Sequence, residues 1–154
     1  MTESGSVLMD VVIAGVEQNG WRYTKGEDSF IFFPIVGRQA SYDAVVMTNE
    51  GMQYVTAYCS IATRVPGDRR VAVAEAITRA NFGLPVGGFE MDFADGEVRF
   101  RAGIDVEGGS FAPVMLQNML GLAVAMCDRY HDALMRVMFA DMEPAAAIAL
   151  AEQA

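Results

Sequence analysis

The chain has 154 residues, 53% hydrophobic and 20% charged. It is long and apolar enough to bury a full core without disulfides or metals, and a disordered chain is excluded. Twenty acidic residues against eleven basic ones give a net charge of −9, which argues against nucleic-acid phosphates and anionic membrane surfaces and favours basic partners.

Ser4 and Ser6 are candidate N-caps for a first helix. Behind them Leu8, Val11, Val12, Gly15 and Val16 recur at helical spacing, with Asp10, Glu17 and Gln18 on the other side. Asn19-Gly20 closes this helix, and residues 21–27 form a connector with a short extended piece at 21–23. The polar start, with Glu3, lacks the basic and apolar regions of a signal peptide. The most apolar run, residues 113–127, is too short to span a bilayer and contains Gln117 and Asn118. The expected compartment is the cytoplasm.

Three strands follow at 29–36, 42–48 and 53–61. Pro34 fits an edge or a bulge, since it cannot donate to a ladder. Gly37-Arg38-Gln39 forms one turn; Asn49-Glu50-Gly51 forms a second, with glycine supplying a positive φ. Such short loops make an antiparallel meander. Asp68 then caps a helix over 69–81 whose apolar stripe is Val73, Ala76, Ile77 and Ala80; Gly83 and Pro85 stop it.

Phe89, Met91 and Phe93 alternate with Glu90 and Asp92; after Asp95-Gly96, Val98, Phe100 and Ala102 alternate with Arg99 and Arg101. Taking Asp95-Gly96 as a two-residue type I′ loop puts Asp92 opposite Arg99 and Glu90 opposite Arg101. Phe93 then meets Val98, and Met91 meets Phe100. Ser110 is a candidate cap for the last long helix, with Pro113 in its first turn. Leu116, Met119, Leu120, Ala123, Cys127, Tyr130, Leu134 and Val137 line its core face. Glu143-Pro144 breaks it, and a short helix over 145–152 follows. With no repeat and no long linker, residues 1–154 read as a single domain. The order α-β-β-β-α-β-β-α gives an α+β fold, an antiparallel sheet with helices on one face.

Ala80-Asn81, the run Leu84-Pro85-Val86-Gly87-Gly88-Phe89-Glu90-Met91-Asp92, and Asp95-Gly96-Glu97-Val98-Arg99-Phe100-Arg101 resemble the YbjN-type family. Its members are often labelled bacterial sensory transduction regulators. The matching core covers residues 69–140, the tail at Glu143-Pro144 also looks similar, and the first 60 residues match only in pattern. The resemblance implies a type III secretion chaperone-like fold. It also implies a homodimer formed through residues 69–92, where Ala74, Ala76 and Ala80 keep the second helix narrow. It implies no catalytic residues.

The residues themselves point to no cofactor and no metal. Asp128, His131 and Asp132 lie within one helical turn, but such clusters usually belong to a solvated helix face. No nucleophile elbow or phosphate loop occurs. Cys59 and Cys127 sit in apolar runs and read as free buried thiols. Six of the eleven methionines fall between Met115 and Met142. On the outward face of the last helix Val114, Gly121 and Ala125, beside Asn118, are small or apolar, so something packs there: the first helix, the C-terminal helix or another chain. The reading is a non-enzymatic adaptor or chaperone-like protein acting on a protein partner through apolar surface. The alternative is a small-ligand sensor or an enzyme with a pocket between sheet and helices.

Overall fold

The apolar spacing near the start forms α1 (Val7–Gln18) in the computed structural model, which describes residues 7–27 and 29–153. Leu8, Met9, Val12, Gly15 and Val16 are buried along it. The Ser4 and Ser6 caps lie outside the described residues. The expected extended piece falls later in the chain, at β1 (Thr24–Lys25). Thr24 and Lys25 face Phe32 and Ile31, so the pairing with the next strand fixes its place.

The strands β2 (Phe30–Val36), β3 (Ser41–Asn49) and β4 (Tyr54–Ser60) make the meander. Together with β5 (Gly88–Met91) and β6 (Val98–Asp105) they form an antiparallel sheet in the order β1-β2-β3-β4-β6-β5. Period-2 alternation sends Ile31, Phe33, Val46, Val55, Ala57 and Phe100 to the helix-covered face. Phe32, Met47 and Tyr54 are on the open face, where the Arg99 guanidinium lies 4.0 Å above the Tyr58 ring. Pro34 pairs with Asp43 on one side and lies beyond the end of β1 on the other, so its missing N–H breaks no ladder. In the β3–β4 turn the positive φ belongs to Gln53, at 54°, and not to Gly51. The turn is closed by side chains instead: Asn49 Oδ1 accepts the Met52 N–H at 2.8 Å, and the Gln53 amide donates to the Glu50 carbonyl.

Helix α2 (Arg70–Asn81) buries Val73, Ala76, Ile77 and Ala80, the expected stripe. Asp68 does not cap it: a short 3-10 turn at Gly67–Arg69 precedes it, Arg69 holds the cap position, and no side chain caps the end. The arginines anchor this end, Arg69 Nε donating to the Val137 carbonyl at 2.9 Å and Arg70 Nε to the Val65 carbonyl at 3.2 Å. Likewise Ala112, not Ser110, holds the cap position of α3 (Pro113–Phe139). Its N–H donates to Met115 Sδ at 3.3 Å, and Pro113 opens the helix. All eight residues of the expected α3 core face are buried. Helix α4 (Pro144–Gln153) follows, and Glu152 accepts the Tyr130 hydroxyl at 2.9 Å.

The β5–β6 hairpin exists, but its register differs from the sequence reading. Glu90 faces Arg99, Met91 faces Val98 and Phe89 faces Phe100. Asp92 is therefore not opposite Arg99, and the two-residue type I′ loop is wrong: the loop spans residues 93–96. Long-range contacts decide this. Gly96, at φ 77°, accepts the Val65 N–H at 2.9 Å, and Arg70 donates to the Phe93 carbonyl at 2.7 Å. A Cβ on Gly96 would come within 2.4 Å of the Val65 oxygen, so glycine is required by space as well as by φ. Asp92 Oδ1 accepts the Ala94 N–H and Asp95 Oδ1 the Glu97 N–H, closing the wider loop locally. Phe93, expected to face inward, sits in this loop 55% exposed. Because the pairing moves by two residues, every other side chain keeps its face. Glu90 now bridges both arginines, reaching Arg99 Nε at 2.5 Å and Arg101 Nε at 3.7 Å.

Cys59 and Cys127 are free and buried, brought together between β4 and α3, with the Cys127 thiol donating to the Cys59 carbonyl at 3.6 Å. The hydrogen bond with Cys59, then burial, push the Cys127 thiol well above its ordinary pKa. Thiol reagent at pH 8 should label the folded protein slowly and the urea-unfolded protein at two sites per chain. Failure to label unfolded, unreduced protein would show a disulfide.

Candidate functional site: a groove beside the last helix

Leu120 of the core stripe and the α3 residues flanking it, Gln117, Gly121, Val124, Ala125, Asp128 and Arg129, form one wall of a groove of about 800 Å³. The other wall is the β2–β3 turn with Ile35, Val36 and residues 37–39, and Asn19 and Trp21 close one end. Ile35 and Leu120 make an apolar floor, and the Trp21 ring stacks on Phe33 at 5.4 Å. Gly121 and Ala125 are exposed, and their small size opens the groove.

Asp128 fixes the far wall. It accepts the Arg38 N–H at 2.8 Å, the Gln39 N–H at 3.0 Å and the Tyr42 hydroxyl at 2.7 Å. Desolvation raises its pKa, but the Arg38 N–H, the Tyr42 hydroxyl, the Gln39 N–H and the Arg38 charge together outweigh this. The carboxyl titrates below its ordinary value. Gly37 allows this approach: a Cβ there would stand 2.4 Å from Asp128 Oδ1. Burial, then the bond to Asp128, push the Tyr42 hydroxyl far above its ordinary range.

Asp128, His131 and Asp132 each have a different engagement. Asp128 is committed to the turn, the His131 ring lies edge-on to Tyr42 at 6.4 Å, and Asp132 pairs with Arg136 at 2.7 Å. Among the described residues no group of three or more His, Cys, Asp or Glu is placed to hold a metal ion.

Of the residues expected on the outward face of α3, Gly121 and Ala125 line the groove, while Val114 and Asn118 are exposed outside it. Neither α1 nor α4 lines the groove beside Gly121 and Ala125. Helix α1 packs at the start of α3, where Gly15 meets Leu116 and Pro113, and α4 packs near Ala133.

The alanines expected at a dimer interface need correction. Ala76 and Ala80 are 0% and 1% exposed, because they share the inward stripe with Val73 and Ile77. Ala74 is half-buried. The outward face of α2 instead carries Val71, 77% exposed, and leads to Phe82, 91% exposed. The edge of β5 is partly closed, since the Asn81 side chain donates to the Phe89 carbonyl at 2.9 Å and accepts its N–H at 2.7 Å. This blocks Phe89 from pairing with a further strand beyond β5 and leaves the helix face as the apolar surface there.

Sequence reasoning missed Trp21, Ile35, Arg38 and Gln39 as groove residues. The available signal was a tight turn with free N–H groups and a carboxylate on an outward helix face. Only tertiary packing joins residues 38 and 128.

No curated protein matches the chain in sequence. Among solved structures it is similar to YbjN from E. coli, with TM-score 0.56, 8% identity, and coverage of 84% of this chain and 87% of that one. It is similar to a chain of the ExsC–ExsE complex, with TM-score 0.59, 10% identity, and coverage of 86% and 97%. It is also similar to a chain of the HopA1–SchA chaperone–effector complex, with TM-score 0.53, 8% identity, and coverage of 81% and 92%. At these identities the likeness establishes the fold, which is the type III secretion chaperone-like one implied by the resemblance. The family model described as "Putative bacterial sensory transduction regulator" matches residues 9–136, reaching well beyond the core at 69–140 into the N-terminal strands and leaving the Glu143-Pro144 tail outside. A match over most of the chain, on the fold its E. coli namesake shares, places this chain in the YbjN family.

Proposed function

We propose that the chain is a non-enzymatic interaction protein, a chaperone-like or regulatory adaptor of the bacterial cytoplasm. It acts as one domain over residues 1–154 and binds a protein partner in the α3 groove. The observation that carries this reading is the groove itself: its floor is apolar, its small residues face outward, and its one acid is committed to the β2–β3 turn. The similar structures of an ExsC–ExsE and a chaperone–effector complex support a protein partner. No helix among the described residues is long and apolar enough to cross a membrane. The protein-binding residues are Gly121 and Ala125, with Val114 and Asn118 at the margin.

Ala125→Glu tests the groove. The side chain is exposed, so folding and melting should be unchanged, while a partner that packs there would bury an unpaired carboxylate. That costs several kcal/mol, enough to abolish most contacts. Proteins retained by the wild type and by His131→Ala should be lost with Ala125→Glu. A silent Ala125→Glu combined with a disabling His131→Ala would instead favour a small-ligand sensor or an enzyme.

The same reading includes a homodimer through the outward face of α2, using Val71, Ala74 and Phe82 in place of Ala76 and Ala80. Light scattering at micromolar concentration should give twice the chain mass of 16.7 kDa, and Phe82→Glu should return it to 16.7 kDa. Wild type at the single-chain mass would refute the dimer.

A further inference from the structure

We propose that the α3 groove selects an amphipathic helix whose apolar face is flanked by acidic side chains; this rests on the docking reading above and reverses the charge preference that the whole chain implies. The net charge of −9 favours basic partners. The arginines are distributed differently. Six form ion pairs with acids of this chain, and Arg70 is bound to the carbonyls of Val65 and Phe93. Three of the ten remain: Arg22, Arg38 and Arg129.

Arg38 and Arg129 stand on opposite walls of the groove, and Arg22 follows Trp21 at its end. Among the described residues neither Arg38 nor Arg129 forms an ion pair. The Arg129 guanidinium lies 5.4 Å from the Tyr130 ring centre, and Arg38 gives Asp128 its backbone N–H. The one acid in the lining, Asp128, already accepts three hydrogen bonds. The groove therefore carries an apolar floor and two guanidinium groups that form no ion pair among the described residues, in a protein that engages seven of its other eight arginines internally.

The length of the α3 wall suits a helix. The α3 wall runs from Gln117 to Arg129, about 18 Å at 1.5 Å per residue, or roughly three turns. Gly121 and Ala125, one turn apart, let a second backbone approach closely, and acids bordering the partner's apolar face would reach the two guanidinium groups.

Trp21 is the only tryptophan and lies in the groove, so its emission reports occupancy directly. The probes are two synthetic helical peptides with the same Leu/Ala face, one flanked by glutamates and one by lysines. At low ionic strength the glutamate peptide should shift Trp21 emission and bind about tenfold more tightly than the lysine peptide, with the gap closing at high salt. The double variant Arg38→Glu, Arg129→Glu, both at exposed positions, should reverse the order while its circular dichroism and melting stay as in the wild type. If both peptides bind equally and Ala125→Glu abolishes both, the groove is a docking site but the acidic preference is wrong. If neither peptide perturbs Trp21, both the preference and the docking reading fall. A fatty-acid anion that shifts Trp21 where both peptides fail would make the groove a small-ligand site and overturn the proposal.

Discussion

Phe100→Ala should lower stability by about 4 kcal/mol, measured by urea unfolding at pH 7. Phe100 is fully buried in β6, paired across the sheet with Cys59 on β4 and Phe89 on β5. Its ring meets Phe89 edge-on at 5.1 Å, and Phe89 meets Tyr130 of α3 in the same way at 5.7 Å. The substitution removes the large ring at the start of a stack that ties β5 to β6 and to the last helix. The surrounding strands are hydrogen-bonded on both sides of β6 and cannot collapse into the space. Phe100→Leu retains most of the volume and should cost under about 1.5 kcal/mol. A loss below about 1 kcal/mol for the alanine variant would mean that the hairpin and α3 are not packed as described.

The buried stripes of α2 and α3 were legible from periodicity alone. Val73, Ala76, Ile77 and Ala80 are buried together because four apolar residues at that spacing occupy one side of any helix. The same logic contained the warning against Ala76 and Ala80 as interface residues, since one side chain cannot serve both the core and a partner. The hairpin register was not legible. Asp95-Gly96 has the right chemistry for a tight loop, but Val65 and Arg70, distant in sequence, bind the backbone of residues 93–96 and stabilise a wider one. Helix starts failed for a related reason: Asp68 and Ser110 are good caps locally, but Arg69, Arg70 and Pro113 fix the starts through tertiary contacts and backbone constraint. The groove was half legible. Gly121 and Ala125 stood out on the outward face of α3, whereas the opposite wall comes from the segment around residues 35–39, which no helical pattern connects to them.

Asp128→Ala should destabilise the protein by about 2 kcal/mol at pH 7, with most of the loss traced to one hydroxyl. Removing the carboxylate frees three donors. Arg38 and Gln39 are exposed and their N–H groups can turn to water, whereas Tyr42 is 1% exposed and leaves its hydroxyl buried without this partner. An orphaned buried donor costs roughly 1–3 kcal/mol, and the part-exposed carboxylate keeps the total near the middle of that range. Tyr42→Phe combined with Asp128→Ala should therefore recover much of the loss. The pH dependence has a definite sign. The folded-state pKa of Asp128 lies below its unfolded value, so its contribution is complete above the ordinary carboxylate range of roughly 4 and is lost as pH falls through the folded value. The stability gap between wild type and Asp128→Ala should be constant near neutrality and narrow in acid. A gap that widens in acid would contradict the assignment of three donors to an ionised Asp128. The same variant releases the turn that carries Arg38, so it should also weaken the glutamate peptide more than the lysine peptide, linking the stability of that wall to the selectivity of the groove.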